Sequence, residues 1–288
     1  MIEEQLNGLS IWFFENLQKH ERISHFVSSR KGGFSRPPYE SLNLGLTVGD
    51  DSKQVLRNRG LLASTLDISF TSLTFAQQIH DGEVRIVQEE LGGRGATEQK
   101  TAIEATDAMV TNASNICLIV LLADCVPILL FDPKKNVVGA AHAGWRGTRQ
   151  LVTQNTVRVF QERFGSLPGD IIVGIGPSIG SCCYEVGPEV VAQLEEASSG
   201  EKEHRNGHTS GGRKNFDLWE TNKTQLVQMG IPEGNIESAE LCTYCNHHLF
   251  FSQRYQKGRT GRFGAGIMIK GSEEGTKDPD TTCPKGNS

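Results

Sequence analysis

The longest uninterrupted apolar run in this 288-residue chain, Ile116–Ala123, has only eight residues. A membrane-spanning helix needs about 20 such residues, so the pattern argues against a membrane protein. Shorter runs occur at Ile128–Phe131, Val137–His142 and Asp170–Gly176. These segments are too short for typical helices, contain β-branched residues and are bounded by Gly, Pro or Asp. They therefore predict buried strands.

Three longer segments predict helices. Between Thr148 and Phe164 the apolar side chains are spaced to share one helix face, and Gly165 is a suitable stop. Val186–Ala197 and Asp217–Met229 are further candidates. Strands mixed with helices in this order predict an α/β (α+β) sandwich, with a mixed β-sheet flanked by helices.

Two polar segments are expected to lack regular structure. Residues 198–215 are rich in Gly and Ser and predict a mobile surface loop. Residues 271–288 have no large apolar side chain to anchor them, which predicts a disordered C-terminal tail. Neither segment divides the chain and no internal repeat is found, so residues 1–270 are expected to form a single domain.

The charge and the cysteine content restrict the function classes. The formal net charge is −5, the pI is near 5.9, and no Lys/Arg-rich run occurs. This argues against a nucleic-acid or anionic-membrane partner. The N-terminus lacks the basic and apolar regions of a signal peptide. A cytoplasmic location is therefore expected, where the seven cysteines would be thiols or metal ligands rather than a disulfide framework.

Three good metal ligands stand at the ends of apolar segments: His80, Cys125 and His142. Zinc accepts imidazole nitrogen and thiolate sulfur, and catalytic zinc sites typically use three protein ligands plus water. Separations of 45 and 17 residues suit a site assembled from separate strand ends. Asp124, next to Cys125, is a candidate partner of the ligands or proton carrier. By pattern alone, each ligand is more often a packed core residue, so the surrounding motifs have to decide.

Several long motifs surround these positions. ADCVPILLFD spans Ala123–Asp132, GAAHAGWRGT spans Gly139–Thr148, and GIGPSIGSCCYEVG spans Gly174–Gly187. RKGGFSRPPYESLNLGLTVGDD spans Arg30–Asp51, and FFSQR spans Phe250–Arg254. In this order they resemble the YfiH-like family, whose members were first named polyphenol oxidases or laccase-domain proteins and are now regarded as purine nucleoside phosphorylases. The resemblance extends over roughly residues 28–269.

The resemblance implies a fold, a cofactor and an activity. It implies one α/β sandwich domain in which His80, Cys125 and His142 bind a catalytic zinc ion, Zn²⁺. The implied reaction is phosphorolysis of adenosine, inosine, guanosine and methylthioadenosine to the free base and ribose 1-phosphate, with adenosine deamination alongside. Purine nucleosides and phosphate are then the small-molecule partners, and the oligomeric state stays open.

Further residues are candidates for substrate binding and proton transfer. Cys125 and His142 are predicted to be catalytic because they would bind the catalytic metal. Asp124 is the candidate that protonates the leaving ammonia. Arg146 opens a predicted helix, and a helix N-terminus with an adjacent Arg is suited to phosphate. Arg30, Arg59 and Asn43 complete the predicted phosphate and ribose contacts, although each has an equally plain structural explanation, such as a surface charge or a turn cap.

Four other cysteines could also be read as a metal site, but their spacing in the sequence does not favour one. Cys242 and Cys245 form a C-x-x-C pair, but a zinc site usually shows a second pair with regular spacing. Cys182 and Cys183 are adjacent and cannot readily bridge each other without strain. All four are therefore expected to be packed or site-lining thiols.

Three alternative functions follow from the same residues. A multicopper oxidase needs about ten or more histidines, whereas this chain has eight and no His-x-His; Cu²⁺ is expected only as an adventitious substitute. A cysteine hydrolase would use Cys125 as nucleophile and His142 as base. A non-enzymatic, zinc-stabilised binding module is the third alternative, and three ligands rather than four argue against it.

Overall fold

The computed structural model of the chain describes residues 1–197 and 214–271. The predicted mobile loop and C-terminal tail fall outside these ranges, except for Lys214, Asn215 and Gly271. No helix in the described ranges is long and apolar enough to cross a membrane.

Twelve strands form two mixed sheets of six. The first sheet contains, in spatial order, β1 (Ile2–Leu6), β2 (Leu9–Phe13), β3 (Ile23–Ser28), β14 (Phe263–Ile269), β7 (Cys117–Leu122) and β4 (Leu73–Phe75). The second sheet contains β13 (Ile236–Ser238), β10 (Ile172–Ile175), β8 (Val126–Asp132), β9 (Val137–Ala143), β6 (Ala108–Thr111) and β5 (Val84–Ile86). A separate short pair is formed by β11 (Glu185–Val186) and β12 (Lys214–Asn215).

Six α-helices occur in the described ranges. They are α1 (Glu15–Gln18), α2 (Ser52–Thr65), α3 (Trp145–Arg149), α4 (Val152–Phe164), α5 (Pro188–Ala197) and α6 (Leu218–Gln228). Asp217 caps α6, because its side chain accepts a hydrogen bond from the Glu220 N–H. Gly165 ends α4 in the left-handed conformation, with a φ of 68°, as its position in the sequence predicted.

The layers are helix, sheet, sheet, helix. Side chains from β7, β8, β9 and β14 meet between the two sheets. On the outer face of the second sheet lie α4, α5 and α6, and α2 covers the outer face of the first. Strands covered on both faces are apolar along their whole length instead of alternating. This explains the continuous apolar runs at Cys117–Leu122 and Val126–Asp132.

The sandwich of strands and helices is confirmed, with one difference in the sheets and one in the helices. The sequence predicted a single mixed sheet, whereas β7 and β8 belong to different sheets although residues 123–125 alone separate them. The predicted helix from Thr148 to Phe164 is two helices, α3 and α4. Leu151 separates them in the left-handed region with a φ of 61°. This break lets α3 face the site while α4 packs on the second sheet.

Candidate metal centre and active site

Three ligand side chains converge where the chain passes between the sheets. Cys125 lies in the short connection from β7 to β8, His142 lies on β9, and His80 lies in the loop after β4. One donor atom from each residue lies within 4.8 Å of the others. The two imidazole rings stand nearly perpendicular at 81°, with their centroids 4.9 Å apart. The sequence prediction that these three residues come together matches this geometry.

The backbone next to the ligands leaves room for a metal ion. A Cβ atom at Gly144 would lie 2.8 Å from Cys125 Sγ and 3.3 Å from His80 Cδ2. Only a residue without a side chain therefore fits at this position. Two imidazoles and one thiol are donors that zinc accepts at a three-ligand site. The residues present thus fit a metal ion of this class.

A buried carboxylate supports two of the three ligands. Asp107 Oδ1 lies 2.8 Å from His142 Nδ1. The same carboxylate accepts hydrogen bonds from the backbone N–H groups of Ile79, His80 and Asp81. Successive N–H groups of this kind form an anion-binding nest, for which His80 takes a left-handed φ of 63°. Asp107 therefore fixes both the ring of His142 and the loop that carries His80.

The pKa values of Asp107, Cys125 and His142 reflect their contacts. Burial raises the pKa of Asp107, but hydrogen bonds from His142 and from the N–H groups of Asp81 and Ile79 outweigh it and hold the pKa below its usual range. Burial also raises the pKa of the Cys125 thiol, but the His142 and His80 side chains bring it to about 6. Burial lowers the pKa of His142, while Cys125 and Asp107 raise it to about 9. Without a metal, a thiolate–imidazolium pair is favoured here.

Asp124 lines the same cavity and is tightly held. Its backbone lies in the left-handed region with a φ of 90°, a conformation that L-residues adopt at a cost. Its carboxylate accepts hydrogen bonds from the Thr243 hydroxyl at 2.6 Å and the Arg254 backbone N–H at 2.7 Å. Its carbonyl accepts the N–H of Ile179 at 2.9 Å. These bonds fix the direction in which the carboxylate points.

A cavity of about 1160 Å³ opens above the three ligands. Trp145 and Tyr184 contribute aromatic surface to its wall. Burial raises the pKa of Tyr184 above its ordinary value, which keeps its hydroxyl protonated. Four cationic side chains also line the cavity: Lys100, Arg254, Lys257 and Arg262. The chamber thus combines flat apolar surface, a floor of three side chains that could hold a metal ion, and positive charge.

The arginines chosen from the sequence as phosphate ligands have other contacts. Arg59 is completely buried, and its guanidinium donates to the carbonyls of Leu44, Gly95 and Ala96. Arg30 donates to the carbonyls of Glu40 and His247. Neither side chain lines the cavity. The structure thus places both arginines outside the cavity, where their guanidinium donors are used on backbone acceptors of neighbouring loops.

Asn43 and Arg146 also lie outside the cavity lining. The Asn43 amide donates to Gly45 and Asp50 and accepts the N–H of Arg262, so it holds a turn next to the site. The Arg146 guanidinium packs over the Trp145 ring, 4.5 Å from its centroid. Both side chains therefore contact residues that line the cavity: Asn43 contacts Gly45 and Arg262, and Arg146 contacts Trp145.

The sequence analysis missed Asp107 and the four lining cations. Asp107 stands directly before the apolar segment 108–110, and an acidic residue at the edge of a buried strand is the one local signal that pointed to it. Gln78, which lies beside the ligand His80, pairs through its amide with both the N–H and the carbonyl of Leu121. This pairing ties the His80 loop to β7, whose end carries Cys125.

The fold and the site define a single-domain α/β protein with a three-ligand His₂Cys centre in a large cavity. A family described as "Multi-copper polyphenol oxidoreductase laccase" matches residues 24–270, and the chain belongs to this family, the YfiH-like proteins. Over 259 residues it is 38% identical to purine nucleoside phosphorylase YlmD of Bacillus subtilis, which covers 90% of this chain and 92% of that protein.

Two further relatives agree in length and fold. Adenosine deaminase RL5, from an unknown prokaryotic organism, is 34% identical over 250 residues, which cover 87% of this chain and 95% of the relative. The crystal structure of YlmD from Geobacillus stearothermophilus superimposes with a TM-score of 0.89 at 35% identity and covers 93% of this chain and 98% of that one. The similarity thus includes the whole sandwich and is not confined to one motif.

Proposed function

We propose that this protein is a zinc-dependent purine nucleoside phosphorylase that also deaminates adenosine. The observation that carries the proposal is the His80, Cys125 and His142 centre at the floor of a cavity that also holds four cations. The names of the relatives, a phosphorylase and an adenosine deaminase, supply the reaction classes. Adenosine, inosine, guanosine and methylthioadenosine are the proposed substrates.

A zinc ion in this centre supplies Lewis acidity, which activates water or polarises a substrate oxygen. The remaining tasks belong to the chain itself. Asp107 holds the His142 ring so that its other nitrogen faces the centre. Asp124, fixed by Thr243 and Arg254, carries a proton to or from the substrate. In deamination that proton goes to the leaving ammonia.

Phosphorolysis requires that phosphate binds in the cavity together with the nucleoside. An oxygen of phosphate attacks C1′ of the ribose, the bond from C1′ to the base nitrogen breaks, and its electron pair leaves with the base. Lys100, Arg254, Lys257 and Arg262 line the cavity and are the cations that can hold phosphate for this attack. One nitrogen of Arg254 and one of Arg262 donate to nearby backbone carbonyls, which leaves their other N–H groups for phosphate. Trp145 and Tyr184 offer aromatic faces for the purine ring.

Zinc rather than copper is proposed as the resident metal. The described residues contain two clusters of metal-type ligands, and neither has the histidine set of a multicopper centre. Two imidazoles and one thiolate with an open fourth position are typical of catalytic zinc. Copper is then an adventitious substitute at the same three ligands.

The test is an incubation of metal-quantified protein with adenosine, with and without phosphate, followed by chromatography. We expect adenine and ribose 1-phosphate only when phosphate is present, and inosine in both samples. His80→Ala, purified identically, is expected to lose more than about a hundredfold of both activities, which excludes a contaminating enzyme. His20→Ala is the matched control. Zinc-loaded protein that forms neither product contradicts the proposal.

The same preparation separates the two alternatives. The thiolate–imidazolium pair of Cys125 and His142 favours a cysteine hydrolase only if the metal-free protein is active and iodoacetamide labels Cys125 with loss of that activity. A binding module would fold with its metal and melt at lower temperature after chelation, but would turn over no nucleoside.

A further inference from the structure

A second group of metal-type ligands lies beside the cavity, next to the lining residue Tyr184. Cys182, Cys183, Cys242 and Cys245 bring four sulfur atoms within 4.8 Å of one another. The sequence analysis treated them as packed thiols because Cys242-x-x-Cys245 had no second C-x-x-C pair. The fold supplies the second pair from a distant loop in the form of two adjacent cysteines. The structure therefore brings together four thiols that the sequence analysis expected to be packed or site-lining.

The sulfur spacing is that of a tetrahedral metal site. Cys182 Sγ lies 3.7 Å from Cys245 Sγ, and Cys183 Sγ lies 3.4 Å from the same atom. A zinc ion with four sulfurs at about 2.3 Å places those sulfurs about 3.8 Å apart. These two distances are thus close to the required one, and all four sulfurs lie within 4.8 Å of one another.

The surroundings of the sulfurs suit bound thiolates. The backbone N–H of Gly180 donates to Cys242 Sγ at 3.3 Å, and N–H···S bonds of this kind stabilise a thiolate ligand. Cys182 and Cys245 are exposed and Cys183 is half-buried, so a metal ion from solvent can reach the group.

We propose that Cys182, Cys183, Cys242 and Cys245 form a closed, four-thiolate structural site for a zinc ion, separate from the His80 centre. Each thiol releases its proton to solvent as its sulfur binds. Four protein ligands leave no position for water or substrate, which is the difference between a structural and a catalytic zinc site.

The position of this site indicates which part of the fold it would stabilise. Its ligands come from the loop between β10 and β11 and the loop between β13 and β14, and a bridge pairs Ser178 with Cys242 beside it. Tyr184, which follows Cys183, lines the cavity. Thr243, which follows Cys242, donates to Asp124. The metal therefore cross-links the two loops that carry one wall of the active cavity.

The test is a metal count on the whole protein. Wild-type chain from zinc-supplemented medium is expected to hold two zinc ions, and His80→Ala one. Cys182→Ser/Cys245→Ser in the His80→Ala background is expected to hold none. Cys182 and Cys245 are exposed, so the substitutions remove no core packing. Cys283→Ser, a cysteine outside the described residues, is the matched control and should change nothing.

Cobalt gives a second readout that does not depend on enzyme activity. Co²⁺ added to metal-free His80→Ala protein is expected to show the intense sulfur-to-metal absorption of a tetrahedral thiolate site, and the double cysteine variant should lose it. A metal content that is the same with and without the cysteine pair overturns the proposal. So does a reduced-to-native mass difference that shows these cysteines joined as a disulfide.

Discussion

The carboxylate of Asp107 lies 2.8 Å from His142 Nδ1 while it also accepts the backbone N–H of His80. One buried side chain on the edge of β6 therefore positions two of the three ligands, which come from segments 62 residues apart. Carboxylates that hold a ligating histidine set its tautomer and the direction of its ring. A metal ion bound by these ligands would consequently depend on a residue that does not touch it.

We expect Asp107→Asn to weaken zinc binding at the His80 centre by about 10- to 100-fold, because the charge that holds His142 is removed. Competition with a chelator measures this affinity. Asp132→Asn is the control, since Asp132 is also buried and accepts the N–H groups of Lys134 and Lys135 far from the site. Equal losses in both variants would show a general effect of removing a buried charge.

Gly144→Ala should disable the centre without unfolding the protein. The φ of Gly144 is −75°, so alanine fits the backbone, but its Cβ would lie 2.8 Å from Cys125 Sγ. A displacement of about 1 Å at a reacting centre costs about a hundredfold in rate, and we expect a loss of that size in deamination. Gly60→Ala is the control, because its Cβ would meet nothing within 4 Å. An active Gly144→Ala protein with full zinc content would contradict the steric argument.

Lys257→Met should separate the two proposed reactions. Lys257 lines the cavity, and a charge-assisted hydrogen bond contributes about 1.5–3 kcal/mol. We expect the phosphate concentration for half-maximal phosphorolysis to rise about tenfold or more, with deamination unchanged. Lys31→Met, a charge outside the cavity lining, should change neither reaction. Equal damage to both reactions would remove Lys257 from the phosphate site.

Because His25 is buried and its pKa is lowered, we expect the free energy of unfolding to fall in acid. Burial lowers the pKa of His25 from its ordinary 6.5 to about 4, although the charge of Glu237 raises it. The Phe14 N–H donates to the His25 Nε2, which also requires the unprotonated ring. The unfolded chain therefore binds a proton between these values that the folded chain does not. Unfolding free energy should fall as pH drops from 6.5 to 4, on the order of 3 kcal/mol from this group, and its contribution is complete above 6.5.

Denaturant unfolding of the zinc-loaded protein across this pH range measures the effect. His25→Gln keeps an acceptor for the Phe14 N–H without a titrating ring, so its pH profile should be flatter. His20→Gln should keep the slope of the wild-type protein. A wild-type slope in His25→Gln would assign the acid sensitivity to other groups.

The strands near the site were predictable because burial on both faces leaves a continuous apolar run, as in β7, β8 and β9. The motifs around His80, Cys125 and His142 predicted them as ligands, and the structure brings the three residues together; their metal binding stays a prediction. Asp107 did not follow, because the pairing of β6 with β9 connects segments that local sequence does not relate. The proximity of the four cysteines did not follow for the same reason: their two loops are distant in the sequence and meet beside the bridge between Ser178 and Cys242.

The predicted phosphate residue Arg59 shows what sequence reasoning lacks. Its charge made it a candidate, but the structure buries it, and its guanidinium makes four hydrogen bonds to backbone carbonyls. Whether an arginine faces a cavity or holds a loop depends on where acceptors lie in three dimensions. Lys257 and Arg262, which do face the cavity, stand in loops with no surrounding apolar pattern to mark them.

The crossing of the chain from β7 to β8 has a consequence for the order of folding. Cys125 sits at that crossing, His142 belongs to the second sheet, and Gln78 ties the His80 loop to the first. The three ligands therefore meet only after the two sheets have packed face to face. Capture of the metal at this centre is consequently a late event, and its rate of uptake by refolding protein reports the docking of the sheets rather than the formation of either one.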